Sequence, residues 1–432
     1  MRKGNSINRR EFIKTGTAAA AAAMVFERAK PASGANDRLG IGMIGAGSRA
    51  GEHFSALHWL KTQGGENIEI TAVCDVYRPR IEKAVKGYAP KAKAYMDYRK
   101  LLEDPGVDVV CISTPDHWHA VQSLDALRAG RDVYCEKPIT HWRQFELAKQ
   151  LSWAVRDSDR VVQVGTQGMY DSAWHQMRKY VQDGMIGPPI HAECGYFRTG
   201  EMGERGMTID DPTAIPGPDL DWEAFLGDSP RRPFDVSRFF RWRMYEDYAG
   251  GPATDLYPHS LTPVLYVLDL KMPSMVTATG GKFRYTEREV PDTFNVLIDY
   301  PEKVTVTVSG TLGNDNQGTG LRGTGMKIPI LRGWDGSLTI EGNEIVFIST
   351  PPGLNWDEKP TRPSRRFAIE HGEDFVEYWR HFLKCCRSRE RKTLCPMDLA
   401  YHAQTPLLMA MAGWREGKVA RFDAVSEKII LS

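Results

Sequence analysis

The stretch that most constrains the fold is LGIGMIGAGSRAGEHFSAL, beginning at Leu39. Apolar residues come first, then a glycine turn, then an apolar helical period. That order reads as strand, tight turn and helix. Gly45, Gly47 and Ala50 fit G-x-G-x-x-G/A. One glycine permits the turn, the next lets backbone approach a pyrophosphate, and the small third residue lets the helix pack on the strand. Ser48 and Arg49 open the helix, whose first N–H groups face the phosphates.

The chain then repeats the theme. IEITAVCDVY, residues 68–77, is an apolar strand ending near Asp75. An acid there accepts hydrogen bonds from ribose hydroxyls and repels a 2′-phosphate, which favours NAD over NADP. Arg78 close by keeps NADP open, and a helix cap is the alternative role for Asp75, but strand, turn and acid in that order favour the cofactor. Helices around 79–88 and 97–103, a strand at 107–114, a helix through TPDHWHAVQSLDALRAG stopped by Gly130, and strands at 131–140 and 160–167 follow. Strands alternating with helices predict an α/β fold with a parallel sheet and ligands at the strands' carboxyl ends. Thr114 with Pro115, Glu136 with Lys137, and Gln167 fall at such ends. Four alternating runs between 293 and 350 read as strands with one solvated face, and helical period returns at 372–387 and 396–416.

The 432 residues suggest two or three domains, with 41% hydrophobic content enough for a core. A formal net charge of +1 gives no footing for a nucleic-acid partner. Seven scattered cysteines lack zinc-ligand spacing, and their odd number argues against a full disulfide framework. No metal site is expected. Cys74, Cys111 and Cys135 read as small buried apolar residues. At the front, Arg9 and Arg10 precede Phe12-Ile13-Lys14 and the run TAAAAAAMVF, too short for a bilayer-spanning helix of about 20 residues. Small residues near Ala35 suit a signal peptidase. The segment resembles a twin-arginine export signal, which implies the twin-arginine machinery as a partner and a periplasmic or otherwise exported destination. A destination without a soluble nicotinamide pool requires any such cofactor to be held tightly and restored each cycle.

GAGSRAG, Asp75, TPDHWHA, CEKPIT and GGPATDLYPH, with DLDWEAFLGDSPRRPFD and FRWRMYEDYAGG, together resemble the Gfo/Idh/MocA oxidoreductase superfamily in its exported bacterial form. The resemblance implies an N-terminal Rossmann domain and a C-terminal α/β domain with a large, mostly antiparallel sheet. It divides the chain into a signal peptide at 1–35, an NAD-binding domain at 36–165 and a substrate and oligomerisation domain at 166–432. A homo-oligomer, dimer or tetramer, joined through that sheet is implied. So is a catalytic set: Lys137 hydrogen-bonding the reacting hydroxyl, His259 as acid or base beside it, and Asp255 orienting His259 or binding another hydroxyl. A helix beginning near Asp255 would put these two on one face, although Pro263 should bend it. His117 and His119 fall near the nicotinamide, His119 equally as a helix-start residue. Glu136, Gln167, Trp242 and Arg243 are further cofactor contacts, and Tyr257 a substrate contact.

Three functions compete. The first is NAD-dependent oxidation of a sugar, cyclitol or glycoside with internal recycling of the cofactor. The second is a glycoside hydrolase or lyase that uses NAD transiently, through oxidation, elimination and reduction. It needs a further base for a C–H proton, for which Tyr257 and His119 are the candidates. The third is a non-catalytic sugar-binding protein with a structural nucleotide, against which Lys137, Asp255 and His259 together argue.

Overall fold

The computed structural model describes residues 38–200, 207–318, 321–322, 325–350 and 362–432. The paired-arginine segment lies outside them. From Leu39 onward the chain packs as one compact unit.

The first half is a six-stranded parallel sheet of β1 (Leu39–Ile44), β2 (Ile68–Cys74), β3 (Lys93–Tyr95), β4 (Val109–Ile112), β5 (Asp132–Glu136) and β6 (Val162–Gly165). Their spatial order is β3-β2-β1-β4-β5-β6. The strand order reverses direction between β1 and β4, which opens a crevice at their carboxyl ends. β4 and β5 are buried throughout, as strands covered on both faces by helices must be. Cys74, Cys111 and Cys135 are buried there as free thiols. The sequence missed β3, a three-residue edge strand with no apolar alternation.

The second half holds β7 (Pro189–Phe197), β8 (Met275–Gly281), β9 (Thr293–Tyr300), β10 (Val304–Thr311), β11 (Asn316–Gly318), β12 (Leu321–Arg322), β13 (Met326–Gly333), β14 (Gly336–Glu341), β15 (Glu344–Ser349), β16 (Arg365–Ala368), β17 (Ala420–Asp423) and β18 (Lys428–Leu431). Ten of them form one sheet, ordered β16-β15-β14-β13-β7-β10-β9-β8-β17-β18, while β11 and β12 make a separate ribbon. Only β7 and β10 pair in parallel; the other neighbours are antiparallel. Burial alternates strictly along β10, so one face packs on helices Tyr257–Leu268 and Met397–Glu416 and the other is open. Exposed Leu297 stands on the open face.

The helix Phe375–Ser388 returns to the first half. Trp379 stacks on Tyr134 of β5 at 4.4 Å between ring centroids, and the Tyr378 hydroxyl donates to the Val164 carbonyl of β6. Residues 207–250 form a second hydrophobic cluster, centred on Leu220, Phe225, Phe239 and Tyr248, which packs on Tyr77 at the end of β2.

Candidate active site

At the carboxyl ends of β1, β2 and β4 lies a cavity of about 320 Å³. Gly45, Gly47, Ser48, Arg49, Asp75, Thr114, Pro115, Trp242 and Arg243 line it, as the sequence predicts. Gly45 has φ +91, and a Cβ there would stand 2.8 Å from the Ser113 carbonyl carbon. Gly47 precedes the helix Ser48–Thr62 with no side-chain cap, leaving the first N–H groups to face the cleft. The Asp75 carboxylate accepts from the Ala46 N–H at 2.7 Å and the Tyr77 N–H at 2.9 Å. It thereby braces the glycine turn from the next strand. Burial raises its pKa, opposed mainly by Arg80. These residues fit a dinucleotide. Sequence reasoning missed Arg80, Trp118, Gln122, Phe239 and Phe240, which also line it. Trp118 and Phe240 lay in the segments TPDHWHA and FRWRMYEDYAGG without being given a role of their own.

A second cavity, about 250 Å³, adjoins the first and shares Ser48, Arg49, Met207 and Arg243 with it. Glu136, Lys137, Gln167, Asp255 and His259 line it, together with Glu52, Arg198 and Leu256, which the sequence did not single out. Lys137 follows directly on β5, with a cis peptide bond to Pro138. Its Nζ donates to the Asp255 carboxylate at 2.9 Å and to the Asp255 carbonyl. Arg243 Nε also donates to that carboxylate at 3.2 Å, and an Arg198 nitrogen stands 3.7 Å from its other oxygen. Burial alone would raise the Asp255 pKa; Lys137, Arg243 and Arg198 outweigh it and hold the carboxyl well below the usual range.

His259 is held down to about 3, by burial first and by the Lys137 ammonium second. Its imidazole is therefore neutral near pH 7. Among the described residues its ring has no hydrogen-bond partner; Tyr196 is the aromatic neighbour, 6.1 Å away between ring centroids. Asp255 and His259 do not share one helix. Asp255 ends the short helix Pro252–Asp255, Leu256 breaks the run, and His259 opens Tyr257–Leu268. Both still reach the cavity, and the Lys137 contact shows Asp255 serving the lysine rather than the imidazole.

Glu136 belongs to this second cavity. It takes the Arg49 guanidinium at 2.9 Å and His53 Nε2 at 3.0 Å. Trp379 Nε1 donates to His53 Nδ1 at 3.0 Å, which fixes the proton of neutral His53 on Nε2. Burial opposes the Glu136 charge, but Arg49 and His53 pull its pKa well below the ordinary range.

Three expected contacts fall elsewhere. Tyr257 is fully buried and donates to the Phe294 carbonyl beneath the large sheet, because its side chain leaves the helix on the face opposite the cavity. His119 is wedged between the Pro138 carbonyl at 2.6 Å and the Thr114 carbonyl at 2.7 Å, tying the ends of β4 and β5 together. His117 meets the Phe225 carbonyl at 2.8 Å and lines neither of these two cavities. Burial holds it down to about 4. Among the described residues no His, Cys, Asp and Glu cluster suits a metal ion, and no helix is long and apolar enough to cross a membrane.

Comparison with known proteins agrees with this layout. Residues 39–166 match the NAD-binding Rossmann fold of the Gfo/Idh/MocA oxidoreductase family, and residues 170–328 match its C-terminal alpha/beta domain. An inositol 2-dehydrogenase of Salmonella typhimurium is 31% identical over 166 residues, which is 38% of this chain and 46% of that protein. A glycosyl hydrolase family 109 protein of Shewanella baltica is 25% identical over 326 residues, covering 66% of this chain and 62% of the relative. The chain thus spans roughly half the length of the curated relatives it matches. A levoglucosan dehydrogenase solved with NADH superposes with a TM-score of 0.63 at 17% identity, over 91% of this chain and 99% of that one, and so shares its fold. With both domain matches together covering more than half of it, the chain belongs to the Gfo/Idh/MocA oxidoreductase family.

Proposed function

We propose that the protein is an NAD-dependent oxidoreductase that moves hydride to and from a CH–OH carbon of a sugar, cyclitol or glycoside. One observation carries this reading: the Lys137–Asp255 pair and the neutral His259 converge in a cavity that shares Ser48, Arg49, Met207 and Arg243 with the nucleotide cleft. When bound, the nicotinamide supplies the hydride acceptor or donor. The chain supplies the rest. Lys137, anchored by Asp255, presents N–H bonds to the substrate oxygen and stabilises negative charge growing there. His259 accepts the hydroxyl proton as the carbon loses hydride, and returns it in the reverse direction. Arg49 and Glu136, locked to each other and to His53, hold the cavity wall fixed.

The same reading includes export through the twin-arginine pathway, a cofactor retained and recycled between two sugar substrates, and self-association through the open face of the large sheet. The paired arginines and the exposed Leu297 support these parts.

The relative from glycosyl hydrolase family 109 favours a second reading, glycoside cleavage through transient oxidation, since that match covers more of this chain than the dehydrogenase match. Both side chains the sequence offers as its C–H base, Tyr257 and His119, are bonded away from the cavity, which ranks it second. The deciding experiment incubates the NAD-loaded protein with free sugars and with chromogenic glycosides. A stoichiometric rise in reduced-nicotinamide absorbance with free sugar is the expected result. Aglycone release without net absorbance change would install the second reading instead, and no response to either class would overturn both.

A further inference from the structure

The nucleotide cleft has a roof that belongs to no strand or helix of the Rossmann half. Met207, Phe225, Phe239, Phe240 and Trp242 all line the cavity, and all come from residues 207–250. This segment has its own apolar cluster, so it holds its shape over the cleft. It is also fastened at two separate strand ends. At the end of β2, the Arg78 N–H donates to the Asp219 carbonyl at 2.9 Å, and the Asp221 N–H donates to the Val76 carbonyl at 2.9 Å. Beyond the end of β4, Trp118 Nε1 donates to the Phe225 carbonyl at 2.9 Å, and His117 Nε2 reaches the same oxygen at 2.8 Å. An ion pair also joins the roof to the cleft wall: Arg80, beside Gly47, meets Asp210 at 2.7 Å, and both line the cavity.

We propose that residues 207–250 are a latch that traps the dinucleotide, with Trp118 and His117 gripping the Phe225 carbonyl as its release point. The proposal rests on the reading of the cleft as an NAD site and adds the part of the chain that sets how long the nucleotide stays. A dinucleotide lies under a roof pinned at both strand ends and again where His141 Nε2 meets the Glu246 carbonyl at 2.8 Å, so it leaves only when a fastening opens. The β4 fastening is the weaker one, because it consists of side-chain donors on a single carbonyl. His117 is a positioning residue here and acts through Phe225, whereas Trp118 also lines the cleft itself. Burial keeps His117 neutral, and its Nε2 is then the donor to that carbonyl.

Gly227 supplies a sharp test. It has φ +56, and a Cβ there would stand 2.5 Å from Trp118 Cζ2. Gly227→Ala, at a residue outside the cleft lining, therefore pushes the indole off the roof, while Trp118→Phe keeps one ring on the cleft wall and removes the indole N–H with its pyrrole ring. The protein is loaded with NADH and desalted, and the loss of bound NADH fluorescence is followed after adding excess NAD. The thermal midpoint of each nucleotide-free variant is measured alongside. Slow release from the unaltered protein, accelerated about tenfold in Trp118→Phe with the nucleotide-free midpoint unchanged, is the expected result. Gly227→Ala should release faster still; if it does not fold, Trp118→Phe decides. Rapid release from the unaltered protein, or release that neither substitution changes, overturns the latch. Hydride transfer to sugar, measured on the same preparations, reports separately on the proposed chemistry and is untouched by that outcome.

Discussion

Lys137 and Asp255 are each about nine-tenths buried, so their contact is exchanged for very little water. Removing one leaves the other as a buried charge, a change that costs about 3–5 kcal/mol in such settings. Arg243 and Arg198 also face Asp255, so Asp255→Ala removes a carboxylate shared by three cations. Denaturant unfolding measures it. Lys137→Met has a different signature. It should lower kcat by about 10²–10⁴-fold, the scale of a lost acid–base or electrostatic group, while bound NAD is retained at unchanged stoichiometry. Single-turnover reduction of the bound nucleotide checks this. Histidines set the acid behaviour. Burial holds His117, His141 and His259 down to about 4, 3 and 3. Each is neutral when folded but takes a proton below about pH 6.5 when unfolded. The unfolded chain then binds more protons, so stability rises with pH across this window and is lost as pH falls from about 6.5 towards 3. Thermal midpoints across that range should fall steadily, and His259→Asn should make the slope shallower.

At the scale of elements, the segment GGPATDL is decisive. Gly251 has φ +64, and a Cβ there would stand 2.8 Å from the Pro291 carbonyl oxygen. The turn aims the short helix Pro252–Asp255 so that Asp255 reaches Lys137. Gly251→Ala should cost about 1–2 kcal/mol from backbone conformation alone, with the clash added. A lowered thermal midpoint and a reduced kcat would be seen together, since the same turn carries both. The glycines and the motif residues were legible in the sequence, and so were five of the six Rossmann strands, because each is a local pattern of burial, which the edge strand β3 lacks. The single helix expected from Asp255 through His259 was not. Pro258 fits the first turn of a new helix as easily as a continuing one, and only the packing of Leu256 places the break. The roof was illegible for another reason. Its helices Trp222–Leu226 and Val236–Phe240 are five residues each, too short for a periodic signal, and its core is built from aromatics scattered over the segment. Tyr257 and His119 illustrate the limit at single positions: residue type and motif suggested chemistry, but the face each side chain takes is settled by tertiary contacts.

For the whole molecule, the proposed export address is open to a direct trial. Replacing Arg9 and Arg10 together by lysines should leave the full-length protein in the cytoplasm of a producing cell, still able to bind NAD. Fractionation with immunodetection reads the outcome. A periplasmic pool of undiminished size would remove the twin-arginine assignment while leaving the active-site reading in place.

The return of Phe375–Ser388 to the nucleotide half governs how this fold can be recombined. Trp379 reaches Arg49 through His53 and Glu136, and so a residue late in the chain buttresses the wall of the catalytic cavity. A chimaera made by splicing a foreign substrate half after Gly165 would discard that support along with the native tail. Swapping specificity between relatives therefore calls for three pieces rather than two, with the late helix inherited from the nucleotide-binding parent.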